Sequence, residues 1–270
     1  MTNKLNDYLR KFDSKTIKNE FIFYLKEKLK LNHNDIYIEN ERILSKKEDD
    51  LIKKFIKEKK RGVPLDYILN STKFYENEFY VDSRVLIPRP ETELIVDYVN
   101  NKFYESIDVL DAGTGSGCIG ISIALKKPNF KVIGIDVSED ALNVASINKN
   151  SLGVRNYSLI QSDWLSCFDK ESFDLIVSNP PYISKKDQHL DSLLHEPRMA
   201  LTSKEKGLSD IRIIIEQSKT VLTHRGILII EHGYNQKNEV ENIFKENKFL
   251  EISNLKDFQS NPRITLATKK

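Results

Sequence analysis

The sequence lacks the features that mark secreted, metal-bound or membrane proteins. Its two cysteines, Cys118 and Cys167, have no metal-site spacing and are too few for a disulfide framework, which favours a reducing compartment. No apolar run approaches the roughly 20 residues of a membrane helix, and the N-terminus lacks a signal-peptide core. The formal net charge is only +2. We therefore expect a cytoplasmic monomer whose partners include neither membranes nor nucleic acid.

The first quarter of the chain has a helical pattern. Apolar residues recur three to four positions apart in three groups: Leu5, Tyr8, Leu9 and Phe12; Phe21, Leu25 and Leu29; Leu51, Ile52, Phe55 and Ile56. The polar cluster at 32–35 predicts a turn or a helix cap between them. We predict a helical domain over residues 1–72, followed by a β-hairpin linker over 73–92 and an α/β domain over 93–270.

A proline-rich segment precedes the α/β domain. We expect the apolar run Val85–Ile87 to form a strand that the next prolines end, and Thr92 to cap a helix that starts at Glu93. Arg89 lies between two prolines, which hold it on a stiff backbone. An exposed arginine that pairs with a nearby glutamate is the plain alternative, but this rigid placement favours a functional role.

From residue 107 onwards, strand patterns alternate with helix patterns. Predicted strands lie at 107–110, 131–135, 157–160, 173–177 and 227–230, with two closing strands at 250–255 and 264–268. Predicted helices lie at about 118–127, 139–150, 209–222 and 239–247, the second of them capped by Ser138. Repeated strand–helix steps predict an α/β fold: a mostly parallel sheet with right-handed crossovers and helices on both faces.

Polar residues end four of the predicted parallel strands, namely Asp111, Asp136, Asp163 and Asn179. In an open parallel sheet, ligands bind at the carboxyl ends of the strands, near the point where the strand order reverses. We therefore expect these four residues to share one site.

The loop after Asp111 is rich in glycine, which permits tight turns and close approach of a ligand to the backbone. One pattern is GxGxG over residues 113–117. A second is GxGxxG over residues 115–120 with Asp136 about 20 residues further on, which is the pattern of dinucleotide-binding proteins. The loop predicts a nucleotide-like ligand and leaves a dehydrogenase open.

The acids at the next two strand ends suit the parts of a nucleoside. Asp136 can accept hydrogen bonds from two ribose hydroxyls, although a carboxylate at a helix N-terminus is also favoured by the helix dipole. Asp163 can accept from an exocyclic amino group while Trp164 stacks on a purine. A tryptophan packed in the core is the alternative.

The stretch Asn179-Pro180-Pro181-Tyr182 follows the strand at 173–177. Two prolines fix the backbone and end strand pairing. A stiff turn at the carboxyl end of a strand that carries one amide, Asn179, and one aromatic ring, Tyr182, can hold a small planar group.

Together these motifs resemble the class I S-adenosylmethionine-dependent methyltransferases, and within them enzymes that methylate amino or amide nitrogens. The segments 86–93, 161–164, 177–183, 196–201, 231–233 and 261–266 are similar to the peptide-chain release factor glutamine N5-methyltransferases. The run 257–261 departs from that family's usual pattern. The resemblance implies a Rossmann-like sheet with an antiparallel last strand, S-adenosylmethionine as methyl donor, and the glutamine of a release factor Gly-Gly-Gln motif as acceptor.

The resemblance also implies roles for individual residues. The cofactor positions would be Gly113, Thr114, Gly115, Ser116, Gly117, Asp136, Asp163, Trp164 and Asn179. The catalytic positions would be Asn179, Pro180 and Tyr182, and the substrate pocket would add Pro181, Arg89 and Glu91. The helical domain would dock the release factor.

Four alternatives remain open on the sequence. They are a ribosomal-protein glutamine methyltransferase, a DNA or RNA amino-methyltransferase, a nicotinamide dehydrogenase, and a partner-binding protein that keeps the fold without catalysis. The segment 86–93 favours the release-factor enzymes over the ribosomal-protein enzymes, which usually lack Pro-Glu-Thr-Glu at this place.

Overall fold

The chain divides into two units, residues 1–71 and 72–270, in a computed structural model that describes residues 3–12 and 14–270. The start of the stretch on which the signal-peptide prediction rests, residues 1 and 2, lies outside the described residues. Among the residues that are described, no helix has the length and apolarity needed to cross a membrane.

The first unit is helical. Its helices are α1 (Leu5–Leu9), α2 (Lys15–Leu29), α3 (His33–Tyr37), α4 (Lys46–Lys60) and α5 (Leu65–Leu69). Its core holds an aromatic cluster, in which the ring of Phe55 lies 5.2 Å from that of Phe21 and 4.7 Å from that of Tyr24. Asn32 caps α3 and Ser45 caps α4 through side-chain oxygens, so the polar cluster at 32–35 is a helix start as predicted.

The second unit begins with a hairpin of β1 (Thr72–Phe74) and β2 (Asn77–Phe79), which confirms the predicted hairpin. Its further helices are α6 (Glu93–Lys102), α7 (Cys118–Lys126), α8 (Glu139–Ser151), α9 (Arg198–Leu201), α10 (Ser209–Val221) and α11 (Lys237–Glu246). Its further strands are β3 (Asp108–Ala112), β4 (Lys131–Asp136), β5 (Tyr157–Gln161), β6 (Phe173–Ser178), β7 (Ile183–Ser184), β8 (Thr202–Ser203), β9 (Leu222–Glu231), β10 (Leu250–Lys256) and β11 (Pro262–Thr268).

Seven strands form one sheet in the order β10-β11-β9-β6-β3-β4-β5. β11 runs antiparallel to both of its neighbours, and β9, β6, β3, β4 and β5 are mutually parallel, which confirms the predicted fold. Side chains alternate between two buried clusters: Val109 and Val177 pack against α6 and α7, whereas Leu110 and Ile176 face the side of α10 and α11. Apolar burial on both faces explains why the central strands have continuous apolar sequences.

In the proline-rich segment, one local prediction is wrong and a second holds only in part. Val85–Ile87 forms no strand, because the amide of Ile87 donates to the carboxylate of Glu196 (3.0 Å) in place of a neighbouring strand. Helix α6 begins at Glu93 with Thr92 at its N-cap position, as predicted, but the Thr92 side chain makes no capping hydrogen bond. Thr92 lies in a 3₁₀ turn over Pro90–Thr92, and its buried hydroxyl donates to Glu231 (2.6 Å).

Candidate active site

The carboxyl ends of the central strands lie side by side. Ala112, the last residue of β3, pairs with Ile135 on β4 and with Ser178 on β6. The residues that follow therefore share one edge of the sheet: Gly113, Asp136 and Asn179. The next strand along the chain, β4, lies on one side of β3, and the later strand β6 lies on its other side. The strand order therefore reverses between β3 and β6, which is where open parallel sheets bind ligands.

A cavity of about 650 Å³ opens at this edge. Eight of the nine residues predicted for the cofactor line it: Gly113, Thr114, Gly115, Ser116, Asp136, Asp163, Trp164 and Asn179. The ninth, Gly117, is the N-cap of α7 and lies against Ile121 and Ala145. The sequence patterns thus bring together residues from four strand ends around one concave surface.

Asp111 holds the glycine loop in place through hydrogen bonds. The Oδ2 atom of this fully buried carboxylate accepts from the Thr114 hydroxyl (2.5 Å) and from the amide of Gly120 (2.9 Å). Burial raises the pKa of Asp111 to about 6, against the opposing effect of these two hydrogen bonds. Gly115, within the loop, has a φ of +55°, and a Cβ added to it would meet no atom within 4 Å. Its backbone is therefore open to a ligand.

Asp136 is oriented by backbone amides. Its two oxygens accept from the amides of Gly115 (3.0 Å) and Ser138 (2.9 Å), which fix the carboxylate at the wall of the cavity. Burial raises the pKa of Asp136. The remaining lone pairs of a carboxylate held in this way can accept a pair of adjacent hydroxyl groups.

Asp163 and Trp164 line the same cavity but differ in surroundings. Asp163 is exposed, whereas Trp164 is half-buried and its indole donates to the carboxylate of Asp210 (3.2 Å). The indole edge would lie 3.2 Å from a Cβ added to Gly113, so the ring packs close to the glycine loop. A flat apolar wall that faces a glycine loop can hold a planar ring.

A second, smaller pocket of about 80 Å³ adjoins the first. Three residues line both spaces: Leu86, Asn179 and Ala200. Of the predicted substrate residues, Arg89, Asn179, Pro180 and Tyr182 line the small pocket. Pro181 lines the large cavity, and Glu91 lines neither space.

Hydrogen bonds with neighbouring segments hold the Asn-Pro-Pro-Tyr corner in place. The carbonyl of Tyr182 accepts from the side-chain amide of Gln236 (3.0 Å), which also donates to the carbonyl of Lys206 (3.2 Å). The ring of Tyr182 is largely buried, and its hydroxyl donates to Glu231 (3.1 Å). Burial, with the nearby carboxylate of Glu231, raises the pKa of Tyr182. A neutral tyrosine in a fixed rotamer forms one wall of the pocket.

Arg89 is fixed by a buried partner. Its guanidinium donates to Glu196 (2.6 Å), whose side chain is 3% exposed and whose other oxygen accepts from the amide of Ile87. Arg89 is therefore not an exposed arginine paired with a neighbouring glutamate. Its ion pair with Glu196 links the proline-rich segment to the loop before α9. About a third of the Arg89 side chain stays exposed at the small pocket.

Sequence reasoning gave no site role to Glu231 or Glu196 and assigned Thr92 only to a helix cap, yet these three residues form the supporting contacts of the site. A usable signal existed for Glu231, because it is an acid at the carboxyl end of an apolar strand, as Asp136 is. Glu196 lies in an irregular connection, where neither periodicity nor strand ends indicate a role.

Comparison with known families agrees with this geometry. A sequence model of the family described as methyltransferase domain matches residues 104–264, which is more than half of the chain. The chain belongs to the methyltransferase domain family. The match runs from just before β3 into β11 and thus includes the glycine loop, Asp136 and the Asn-Pro-Pro-Tyr corner.

Several curated relatives of this methyltransferase-domain protein carry the name release factor glutamine methyltransferase. That of Buchnera aphidicola subsp. Acyrthosiphon pisum is 44% identical over 163 residues, or 60% of this chain and 58% of the relative. That of Escherichia coli K12 is 38% identical over 160 residues, or 58% of each chain. The aligned part spans less than two thirds of the length of these relatives.

Solved structures share the fold at low sequence identity. A methyltransferase from Pyrococcus furiosus has a TM-score of 0.55 at 16% identity and covers 71% of this chain and 88% of its own. A ribosomal protein L11 methylase from Lactobacillus delbrueckii subsp. bulgaricus has a TM-score of 0.53 at 21% identity and covers 70% and 84%. These likenesses show that the methyltransferase fold is present.

Proposed function

We propose that the protein transfers a methyl group from S-adenosylmethionine to the side-chain amide nitrogen (N5) of glutamine, in the Gly-Gly-Gln motif of peptide-chain release factors. One observation carries this proposal: the large cavity and the small pocket meet at Asn179. An amide of a substrate held in the small pocket would face the donor in the large cavity there.

The residues of the large cavity fit the proposed cofactor. When bound, S-adenosylmethionine supplies an electrophilic methyl group on a sulfonium centre. Asp136, held by two backbone amides, is suited to the ribose hydroxyls, and the wall at Trp164 is suited to the adenine. The open backbone at Gly115 leaves room for a ligand to lie against the loop.

The small pocket fits a glutamine side chain. Leu86, Leu193 and Leu201 give it apolar walls for the methylene groups. The side-chain oxygen of Asn179 and the Pro180 carbonyl accept the two N–H groups, so that the nitrogen is oriented toward the donor. An amide nitrogen is a poor nucleophile because its lone pair is delocalised, and positioning is therefore the main contribution of these residues.

The choice of substrate protein rests on the curated relatives, which are 36–44% identical to this chain and are named for release factors. We assign docking of the release factor to the predicted helical domain over residues 1–72. Cytoplasmic location, a monomeric state and the absence of a nucleic-acid partner stay predictions.

The decisive experiment incubates the protein with a release factor and methyl-labelled S-adenosylmethionine. We expect label on the glutamine of Gly-Gly-Gln, located by peptide mass spectrometry, and no label when that glutamine is replaced by alanine. Label that persists in the replaced factor, or that enters ribosomal protein, DNA or RNA instead, would overturn the proposal.

Asn179→Ala tests the role of the corner. We expect this change to abolish methyl transfer, because one of the two acceptors for the substrate –NH₂ is lost, while affinity for S-adenosylmethionine stays within a few-fold. Calorimetric titration of the cofactor provides the second measurement. Retained turnover in Asn179→Ala would contradict the assigned role.

A further inference from the structure

A chain of hydrogen bonds runs behind Asn179. Its side-chain nitrogen Nδ2 lies 3.1 Å from the hydroxyl of Thr92, which lies 2.6 Å from Oε2 of Glu231. The other oxygen of Glu231 lies 3.1 Å from the hydroxyl of Tyr182. Thr92 and Glu231 are each 1% exposed, so water competes little with these bonds.

The direction of each bond follows from the groups involved. An ionised carboxylate can only accept, so the single hydrogen of the Thr92 hydroxyl points at Glu231. Toward Asn179, Thr92 then offers only its lone pairs. The amide must therefore present its –NH₂ group to Thr92, and its oxygen lies on the other branch of the amide.

We propose that Thr92 and Glu231 are positioning residues that set which way the amide of Asn179 faces. The inference rests on the proposed function, in which the Asn179 oxygen accepts from the substrate amide. If the amide were reversed, its –NH₂ would face the substrate –NH₂, and two donors would meet. The buried pair thus selects the productive one of two orientations that differ little in shape.

The ionisation of Glu231 bears on the same orientation. The pKa of Glu231 is raised to about 7, mainly by burial and to a smaller extent by the charge of Glu91, against the lowering effects of the hydrogen bonds from Thr92 and Tyr182 and of the charge of Arg263. The buried thiol of Cys118 is also close enough to interact with the charge of Glu231. Protonated Glu231 can donate to Thr92. The Thr92 hydrogen is then able to turn toward Asn179 and favour the reversed amide.

The test replaces Thr92 with valine, which keeps the shape and removes the hydroxyl. We expect Thr92→Val to lower kcat for glutamine methylation about tenfold or more, the size of a lost and reversed hydrogen bond. The affinity for S-adenosylmethionine should stay within a few-fold. Thr92→Ser keeps the hydroxyl and should restore most of the rate, which a merely structural methyl contact would not do.

Thr268→Val is the matched control. The hydroxyl of Thr268 donates to the carboxylate of Glu251 (2.9 Å), so the same chemical group is removed. Thr268 pairs with Ile227, four residues along β9 from Glu231, and is therefore remote from Asn179. Its kcat should equal that of the wild type.

A second readout does not depend on catalysis. In protein labelled with ¹⁵N-asparagine, the side-chain signal of Asn179 is identified by its loss in Asn179→Ala. We expect slow hydrogen exchange of this –NH₂ in the wild type and in Thr92→Ser, and exchange at least tenfold faster in Thr92→Val. Equal exchange in wild type and Thr92→Val would overturn the inference even if the wild type methylates no glutamine.

The activity assay separates the two proposals. A wild type that is inactive on the release factor contradicts the proposed function alone. A wild type that is active, with an undiminished kcat in Thr92→Val, overturns the positioning role alone. In Glu231→Gln we expect a lower kcat whose rise with pH near 7 has disappeared; an unchanged pH profile would also contradict the role.

Discussion

At the scale of single residues, Gly207 allows the backbone of Tyr182 to pack closely against it. A Cβ at Gly207 would lie 2.0 Å from the carbonyl oxygen of Tyr182, and its φ of +93° disfavours any other residue. Gly207→Ala must therefore displace the turn that carries the small pocket. We expect a loss of more than about 2 kcal/mol of unfolding free energy and a marked fall in kcat.

Gly153→Ala is the control for backbone strain. Gly153 also has a positive φ, +67°, but an added Cβ meets nothing within 4 Å. We expect a loss of about 1 kcal/mol and an unchanged kcat. Urea unfolding followed by the fluorescence of Trp164, the only tryptophan, measures both variants. Equal losses would show that the contact with Tyr182 carries no weight.

Single residues at strand ends could be predicted because a parallel sheet places them together whatever the rest of the chain does. Asp136 and Asn179 line one cavity for this reason. The role of Thr92 could not be predicted from the sequence, because its partner Glu231 is 139 residues away along the chain. From the sequence, Thr92 before a helix looked like a cap; in the folded protein, a buried carboxylate outcompetes the helix end for its hydroxyl.

At the scale of secondary-structure elements, Asn148 ties helix α8 to its surroundings. Its side chain donates to the carbonyls of Ser116 (2.8 Å) and Tyr80 (3.0 Å) and accepts from the amide of Tyr80 (2.6 Å). Asn148 is fully buried. Asn148→Leu leaves three backbone groups without these partners, and we expect a loss of about 3 kcal/mol of unfolding free energy.

Because Ser116 lines the large cavity, Asn148→Leu should also weaken cofactor binding. The same change at Asn143, an exposed residue of α8, is the matched control and should alter neither property. Trp164 fluorescence in urea and calorimetric titration of S-adenosylmethionine give the two values. A stable Asn148→Leu variant with normal cofactor affinity would contradict the tie.

Most elements could be predicted, because their signals are local. Ser138 caps α8 as expected, since its side chain accepts from the amide of Ala141 (3.2 Å). Val85–Ile87 shows where local signals fail. Val85 and Ile87 are buried and Leu86 between them is less so, as in a strand, yet the hydrogen-bond partner of Ile87 is a glutamate side chain.

At the scale of the whole molecule, the site contains acids that are buried with raised pKa values. Burial raises the pKa of Glu231 from 4.5 to about 7 and that of Asp111 from 3.8 to about 6. In the folded state each group keeps its proton at pH values where the unfolded chain has lost it. Folding therefore takes up protons between the two pKa values, and a rise in pH opposes folding.

For Glu231 this contribution is fully present below about pH 4.5 and is lost as the pH rises through about 7. The full shift corresponds to about 3 kcal/mol. Buried His232 has the opposite effect on stability. Burial lowers its pKa, so that as the pH falls the unfolded chain binds this proton before the folded chain does. The total slope for the wild type thus mixes both signs, and a variant is needed to isolate Glu231.

Glu231→Gln provides that isolation, because glutamine has a similar shape and does not titrate. We expect the stability of the wild type, relative to Glu231→Gln, to fall by about 3 kcal/mol between pH 4.5 and 8. Urea unfolding at several pH values, followed by Trp164, measures the difference. A constant difference would mean that Glu231 is ionised throughout, so that the Thr92 hydroxyl is never released and the rate of methyl transfer should show no rise near pH 7.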